Sequence, residues 1–168
     1  MRPWQRVALL TTLGTVAVVG LVFAVTTSAF ADGAGATHYS QDYDNVTQTF
    51  VPPDPMATNP CSGAPGTLTI TYSGFAHVTV NKAGDEWDTG NLHGDFSFVP
   101  NDSTLPTYTG HFQQWFGDSF NRNNSVSHFT FNIHGTGSDG STLDFHQNAH
   151  LNINTDGTIS LMFDHMTC

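Results

Sequence analysis

The chain has 168 residues, enough for one domain, and it carries 14 acidic against four basic side chains for a formal net charge of −10. Such a charge repels nucleic acid and anionic lipid headgroups, so neither is expected as a partner. The chain is rich in Asp, Asn, Gly, Ser and Thr, which favour turns and strands over helices.

The first 31 residues have the three parts of a secretory signal peptide. Arg2 and Arg6 precede an uncharged, mostly apolar run over residues 7–25, and small residues follow up to Ala31. We predict a signal-peptide helix, cleavage before Asp32 and a secreted, extracellular product. The apolar run approaches the ~20 residues that cross a bilayer, so an uncleaved membrane anchor is the alternative. No second apolar run follows, and after cleavage we expect no membrane contact.

The next segment, residues 32–60, is rich in Pro, Gly, Asn and Asp, and we predict a flexible lead with one strand at 45–51. The folded β domain is expected over residues 61–168. Cys61 begins this region and Cys168 ends it. Outside the cell an even number of cysteines favours a disulfide, so we predict a Cys61–Cys168 bond.

From Gly66 onward apolar and polar residues alternate with a period of two, which is the pattern of antiparallel strands with one buried face. Turn signals separate the runs, among them Ser73–Gly74. The first apolar residues of the seven runs are Leu68, Val78, Leu92, Tyr108, Phe129, Leu143 and Ile159. Consecutive hairpins predict an all-β fold, either an antiparallel up-and-down barrel of about seven or eight strands or a closely related sandwich. An immunoglobulin-like sandwich fits less well, because its Cys–Trp–Cys spacing is absent.

The last hairpin has a predicted register. A three-residue loop, Thr155–Gly157, requires the left-handed conformation that Gly157 adopts without strain. This register keeps the apolar side chains of both strands on one face. The expected pairs are Ile153 with Ile159, Leu151 with Leu161, and Ala149 with Phe163.

Histidines are frequent, and six of the nine occupy the polar phase of their predicted strands. Four of them, His128, His134, His146 and His150, are expected on one shared surface, and neutral imidazole is a ligand for zinc, copper or nickel. His146 and His150 lie roughly 13 Å apart along one strand, so a shared metal would need partners on neighbouring strands. We expect a solvated surface with no metal or other cofactor, and metal binding is the alternative.

Aromatic residues supply the other candidate site. Trp87, Tyr108 and Trp115 could form a stacking platform for a glycan or a small apolar molecule. Trp115 alternates out of phase with Tyr108, so an exposed position is expected for it. Catalysis has little support, because the chain contains no G-x-S-x-G motif. A glycosidase would also have to pair the single glutamate, Glu86, with Asp88 or Asp95.

Residues 107–112, 115–117 and 135–143, with Cys61 and Cys168 flanking the β region, resemble a set of small secreted actinobacterial proteins that have no assigned activity. The resemblance covers most of residues 45–168 and implies only a secreted all-β domain. We therefore expect a secreted, non-catalytic binding or structural protein whose ligand is a small apolar molecule or a glycan. The alternatives are a histidine-based metal-binding protein and a secreted barrel enzyme.

Overall fold

A computed structural model describes residues 35–168, and every regular element in this part is a β-strand. The seven strands are β1 (Thr37–Phe50), β2 (Gly66–Val80), β3 (Glu86–Pro100), β4 (Tyr108–Phe120), β5 (Asn124–Gly137), β6 (Thr142–Asn154) and β7 (Ile159–Thr167). The predicted all-β class is confirmed. The predicted signal peptide and its helix lie outside the described residues. In residues 35–168 no helix has the length and apolarity that a membrane crossing requires.

The strands form one antiparallel sheet in which each strand pairs with its neighbours in the chain, in the order β1 to β7. This is the predicted meander of consecutive hairpins. The two edge strands, β1 and β7, are not paired with each other, so the sheet is not closed into the expected barrel. Strand β1 begins at Thr37, ahead of the strand expected at 45–51.

Alternation along the strands gives the sheet two different faces. The inner face carries the core cluster, in which Ile70, Leu92, Phe96 and Phe112 are buried, with Leu92 fully so. The loop over residues 51–65 contributes to the buried interior through Ala57 and Asn59. The outer face carries the Thr, Asn, His and Trp residues of the opposite phase. Since the side-chain period of a strand is two, the sequence pattern alone separates these faces.

The predicted disulfide is confirmed. Cys61 and Cys168 are bonded, with their Cα atoms 5.7 Å apart. Cys61 lies in the β1–β2 loop, and its sulfur is 3.7 Å from the carbonyl oxygen of Asp144 in β6. The bond therefore fastens the β1–β2 loop to the end of β7, which is the edge strand opposite β1.

The turn predicted at Ser73–Gly74 is wrong, because β2 runs through both residues and combines two of the predicted strands. Gly74 has φ of +149°, and a β-carbon there would lie 2.0 Å from the carbonyl oxygen of Asn91. Opposite this point β1 has a bulge near Asn45, whose backbone N–H donates to Ser73 Oγ. The glycine thus allows a close approach of strands within the sheet, not a chain reversal.

The last hairpin follows the predicted register only at its tip. Ile153 pairs with Ile159 and Gly157 has φ of +83°, as the three-residue loop requires. A bulge next to Ile153 then shifts the pairing by one residue, so the two further predicted pairs are wrong. The observed pairs are Leu151 with Met162, His150 with Phe163, and Ala149 with Asp164. The extra residue in β7 turns Leu161 and Phe163 to the outer face.

Candidate functional site

An aromatic band crosses the outer face from β2 to β7. Its members are Phe75, His77, Trp87, Trp115, His128, His150 and Phe163. Trp87 and Trp115 are 45% and 44% exposed, and Phe163 is 49% exposed. Phe75 contacts His77 and His128 contacts His150, with ring centroids 4.8 Å and 4.0 Å apart. Large exposed rings that share one sheet face are a typical feature of a binding surface.

The Trp115 indole packs over a glycine on its own strand, Gly117. A β-carbon on Gly117 would lie 3.1 Å and 3.3 Å from two carbons of the Trp115 benzo ring. The indole therefore extends along β4 over Gly117, whose cross-strand partner on β5 is His128. A larger residue at position 117 would displace the ring.

The three predicted aromatic ligand residues do not form one platform. Trp87 and Trp115 share the outer face, whereas Tyr108 lies on the inner face and packs against the core cluster. The Tyr108 hydroxyl accepts a hydrogen bond from Ser141 Oγ at 3.2 Å. Sequence reasoning also missed Phe163 as an exposed ring, because the bulge that turns it outward leaves no clear signal in the alternation.

Next to the aromatic band lies a groove of about 640 Å³. Its polar lining comes from adjacent strands and includes His93, His111, Gln113, Asn132, His134 and His146. Several of these residues are cross-strand partners, namely His93 with Gln113, His111 with His134, and Asn132 with His146. The outer face thus presents imidazole and amide groups in regular rows.

Three imidazoles of the groove have their orientation fixed through Nδ1. His111 donates to Asp95 at 2.5 Å, His134 to Asp144, and His146 to Asn132 Oδ1 at 2.5 Å. Carboxylate and amide oxygens only accept, so in the neutral imidazole the proton is on Nδ1 and the lone pair is on Nε2. The groove therefore offers an array of hydrogen-bond acceptors.

The four histidines proposed as metal ligands share the outer face but fall into separate pairs. His128 and His150 are hydrogen-bonded to each other through Nδ1 at 2.9 Å, while His134 and His146 are bonded to other residues. Within residues 35–168, no three His, Cys, Asp or Glu side chains are arranged to hold one metal ion.

The carboxyls considered for catalysis are divided between the two faces. Asp95 is on the outer face with His111, whereas Glu86 and Asp88 are on the inner face, where Asp88 is the cross-strand partner of Asp118. Burial raises the pKa of Asp88 to about 7, with further contributions from Glu86 and Asp118. The pKa of Asp118 is also raised, mainly by burial and against the opposing effects of Ser127 and His128. Asp88 Oδ1 is buried and has no hydrogen-bond partner among the described residues.

The fold and the site define an all-β domain with the core cluster on its inner face and aromatic and polar side chains on its outer face. The chain matches no known protein family, and neither the curated proteins nor the solved structures contain a significant match. The function therefore has to be inferred from the geometry of the outer face.

Proposed function

We propose that this chain is a secreted binding protein whose outer sheet face binds glycans. The observation that carries the proposal is the exposed aromatic band beside an acceptor-rich polar groove. Aromatic rings stack on the apolar faces of sugar rings, and fixed imidazole, amide and carboxylate groups accept hydrogen bonds from sugar hydroxyls. The outer face combines both.

A glycan is supported over a small apolar molecule because the groove lies on the outer face and not among the core side chains. The inner face is occupied by core side chains such as Leu92, Phe96 and Phe112. The groove is instead lined mainly by polar residues of the outer face. A purely apolar ligand there would leave these polar groups without the hydrogen bonds that water supplies.

The dimensions of the band favour an extended ligand. It crosses β2 to β7, and at ~4.8 Å per strand its length is roughly 24 Å. That length suits an oligosaccharide chain better than a single sugar. The negative charge of the protein, with Asp95 and Asp144 beside the groove, favours neutral or amino sugars over acidic ones.

The test is binding to a panel of neutral, basic and acidic polysaccharides, measured by calorimetry or by depletion onto insoluble material. Trp115→Ala should weaken binding by about 1–1.5 kcal/mol, the value of one aromatic stacking contact, or roughly tenfold in Kd. Val99→Ala is the matched control, since Val99 is exposed on the outer face but outside the band. Equal affinity of the two variants, or no binding to any polysaccharide, would contradict the proposal.

A second variant tests the position of the ring without removing it. Gly117→Val should displace the Trp115 indole from its position over residue 117 and weaken glycan binding, although the tryptophan is retained. The change in Trp115 environment should be visible as a shift in fluorescence emission. Unchanged emission together with unchanged binding would show that the packing of Trp115 over Gly117 has no role in glycan binding.

Three further expectations belong to the same proposal. Export from the cell is supported by the Cys61–Cys168 bond, because disulfides persist mainly in oxidising compartments. The resemblance to small secreted actinobacterial proteins is consistent with it. Closure of the sheet into a barrel requires β1 to pair with β7, and it is an alternative to any other partner for the β7 edge.

A further inference from the structure

The edge strand β7 differs from every other strand in its exposure. Ile159, Leu161, Met162, Phe163 and Met166 are between 49% and 58% exposed, although all are large and apolar. They lie on both faces of the sheet edge, because Leu161, Met162 and Phe163 are consecutive and successive side chains of a strand point to opposite faces. Among residues 35–168, no strand pairs with the free edge of β7. An unpaired edge with apolar side chains on both faces is a template for another strand.

The opposite edge carries the features that prevent such pairing. Strand β1 has exposed carboxylates at Asp42 and Asp44 and a bulge at Asn45, which has φ of +51°. In contrast, β7 has a single acid, Asp164, whose Oδ1 accepts a hydrogen bond from Gln147 Nε2 at 3.0 Å. Both edge strands have a bulge, but that of β1 lies in the middle of the strand beside two carboxylates, whereas that of β7 lies at its start, so β7 is the more open edge for strand addition.

The geometry points to a second copy of this chain as the partner, paired antiparallel with β7 through its own β7. The chain carries a formal charge of −10, so two copies repel each other wherever their acidic surfaces meet. The nearly uncharged β7 is the edge at which two copies can approach. Because β1 is blocked, the contact is two-fold and closes at a dimer and does not continue as a fibre.

The length of the strand and its charge select one register. Phe163 is the middle residue of β7, so a two-fold axis at Phe163 pairs the whole strand. In that register Phe163 opposes its own copy and Met162 opposes Asp164 of the partner. An axis at Asp164 would place two carboxylates directly opposite each other, which is unfavourable.

The same register would join the two outer faces. Phe163 is the last ring of the aromatic band, and it follows His150 in the same row. Pairing at Phe163 makes the two bands continuous across the dimer, so each copy completes the binding surface of the other. This continuity rests on the proposed glycan function, whereas the dimer itself does not.

The test is the molar mass of the purified full chain in solution without glycan, by light scattering over a wide concentration range. We expect a dimer for the wild type and a mass half as large for Phe163→Lys. Ser40→Lys is the matched control, because Ser40 is exposed on β1 in the same row of the sheet, and it should remain dimeric. A monomeric wild type, or a dimeric Phe163→Lys protein, would overturn the inference.

A cross-link tests the register and guards against loss of folding in the lysine variant. Opposed residues in antiparallel strands have Cα atoms ~4.5–5.5 Å apart, within the range that a disulfide can bridge. Phe163→Cys should therefore form a covalent dimer on mild oxidation, and Ser40→Cys should not. Protection of β7 amides from hydrogen exchange in a monomer would instead show barrel closure and refute the dimer. A dimer that binds no polysaccharide would refute only the glycan function.

Discussion

Replacing Asp88 by asparagine should stabilise the protein at pH 8 and have little effect near pH 4. Burial on the inner face raises the pKa of Asp88 from 3.8 to about 7. In the unfolded chain the carboxyl ionises near pH ~4, so between about pH 4 and 7 the unfolded state loses its proton while the folded state keeps it. Stability contributed by the protonated group is therefore lost as the pH rises through this window. Asparagine removes the ionisation and keeps the shape of the side chain.

The size of the effect follows from the pKa difference. A pKa raised from 3.8 in the unfolded state to about 7 in the folded state lowers the free energy of unfolding above pH 7 by about 4 kcal/mol. Asp88 is only partly buried, and solvent screening reduces the cost, so we expect a gain of about 2 kcal/mol for Asp88→Asn at pH 8. The unpartnered Oδ1 atom acts in the same direction, because a buried ionised oxygen without a donor is unfavourable.

The assay is urea unfolding at several pH values, followed by tryptophan fluorescence. Asp95→Asn is the matched control, because Asp95 is on the same strand but exposed on the opposite face with His111. It removes the same negative charge from an exposed position, and it should not reproduce the gain of Asp88→Asn at pH 8. If Asp88→Asn and the wild type have equal midpoints at pH 8, the inner-face carboxyl carries no penalty and the reasoning is refuted.

Three other changes test the fold. Cys61→Ser should lower the melting temperature and leave the β-sheet circular dichroism in place, since the bond closes a loop with a sequence separation of 107. The chain-entropy model gives about 4–5 kcal/mol for a loop of this length. An unchanged melting temperature would contradict this prediction. Gly74→Ala should destabilise the protein by about 1–3 kcal/mol in urea titrations, because it forces a strained φ and a contact with the Asn91 carbonyl. A neutral result would show that β2 and β3 can separate there. N-terminal sequencing of exported protein should begin at Asp32, and an intact Met1 on membrane-bound protein would favour the anchor.

The alternation of the sequence was sufficient to predict the all-β class, the meander order and the separation of the faces, but it divided β2 into two strands. It placed His128, His134, His146 and His150 on one surface, where the structure also has them. The pattern failed where one residue changes the backbone path. Ser73–Gly74 reads as a turn, but a glycine in a strand also permits close approach of its neighbours, and the two cases have the same sequence signal.

The candidate site was only partly predictable for a different reason. The exposure of Trp115 followed from its place in the alternating pattern of β4. Its packing over Gly117 depends on the side-chain rotamer, which the alternation does not specify. The fixed tautomers in the groove depend on cross-strand neighbours, such as His111 beside Asp95 and His146 beside Asn132. Such pairs require the register of hairpins whose loops lie far apart in the chain, and a single bulge alters them all.

The bulge in the last hairpin connects the site with the edge. Without it, Leu161 and Phe163 would oppose Leu151 and Ala149 on the inner face, and Met162 and Met166 would lie on the outer face. One inserted residue sends Phe163 to the outer face beside His150 and leaves Met162 and Met166 on the inner side of an unpaired edge. An exposed apolar edge favours aggregation unless it is covered, and the proposed dimer would cover it. Deletion of Ser160 should remove the bulge and keep Leu161 opposite Asn152 and Phe163 opposite His150, so the end of the aromatic band and the dimer contact should persist. Loss of the dimer after that deletion, measured by light scattering, would show that the contact depends on the bulge itself.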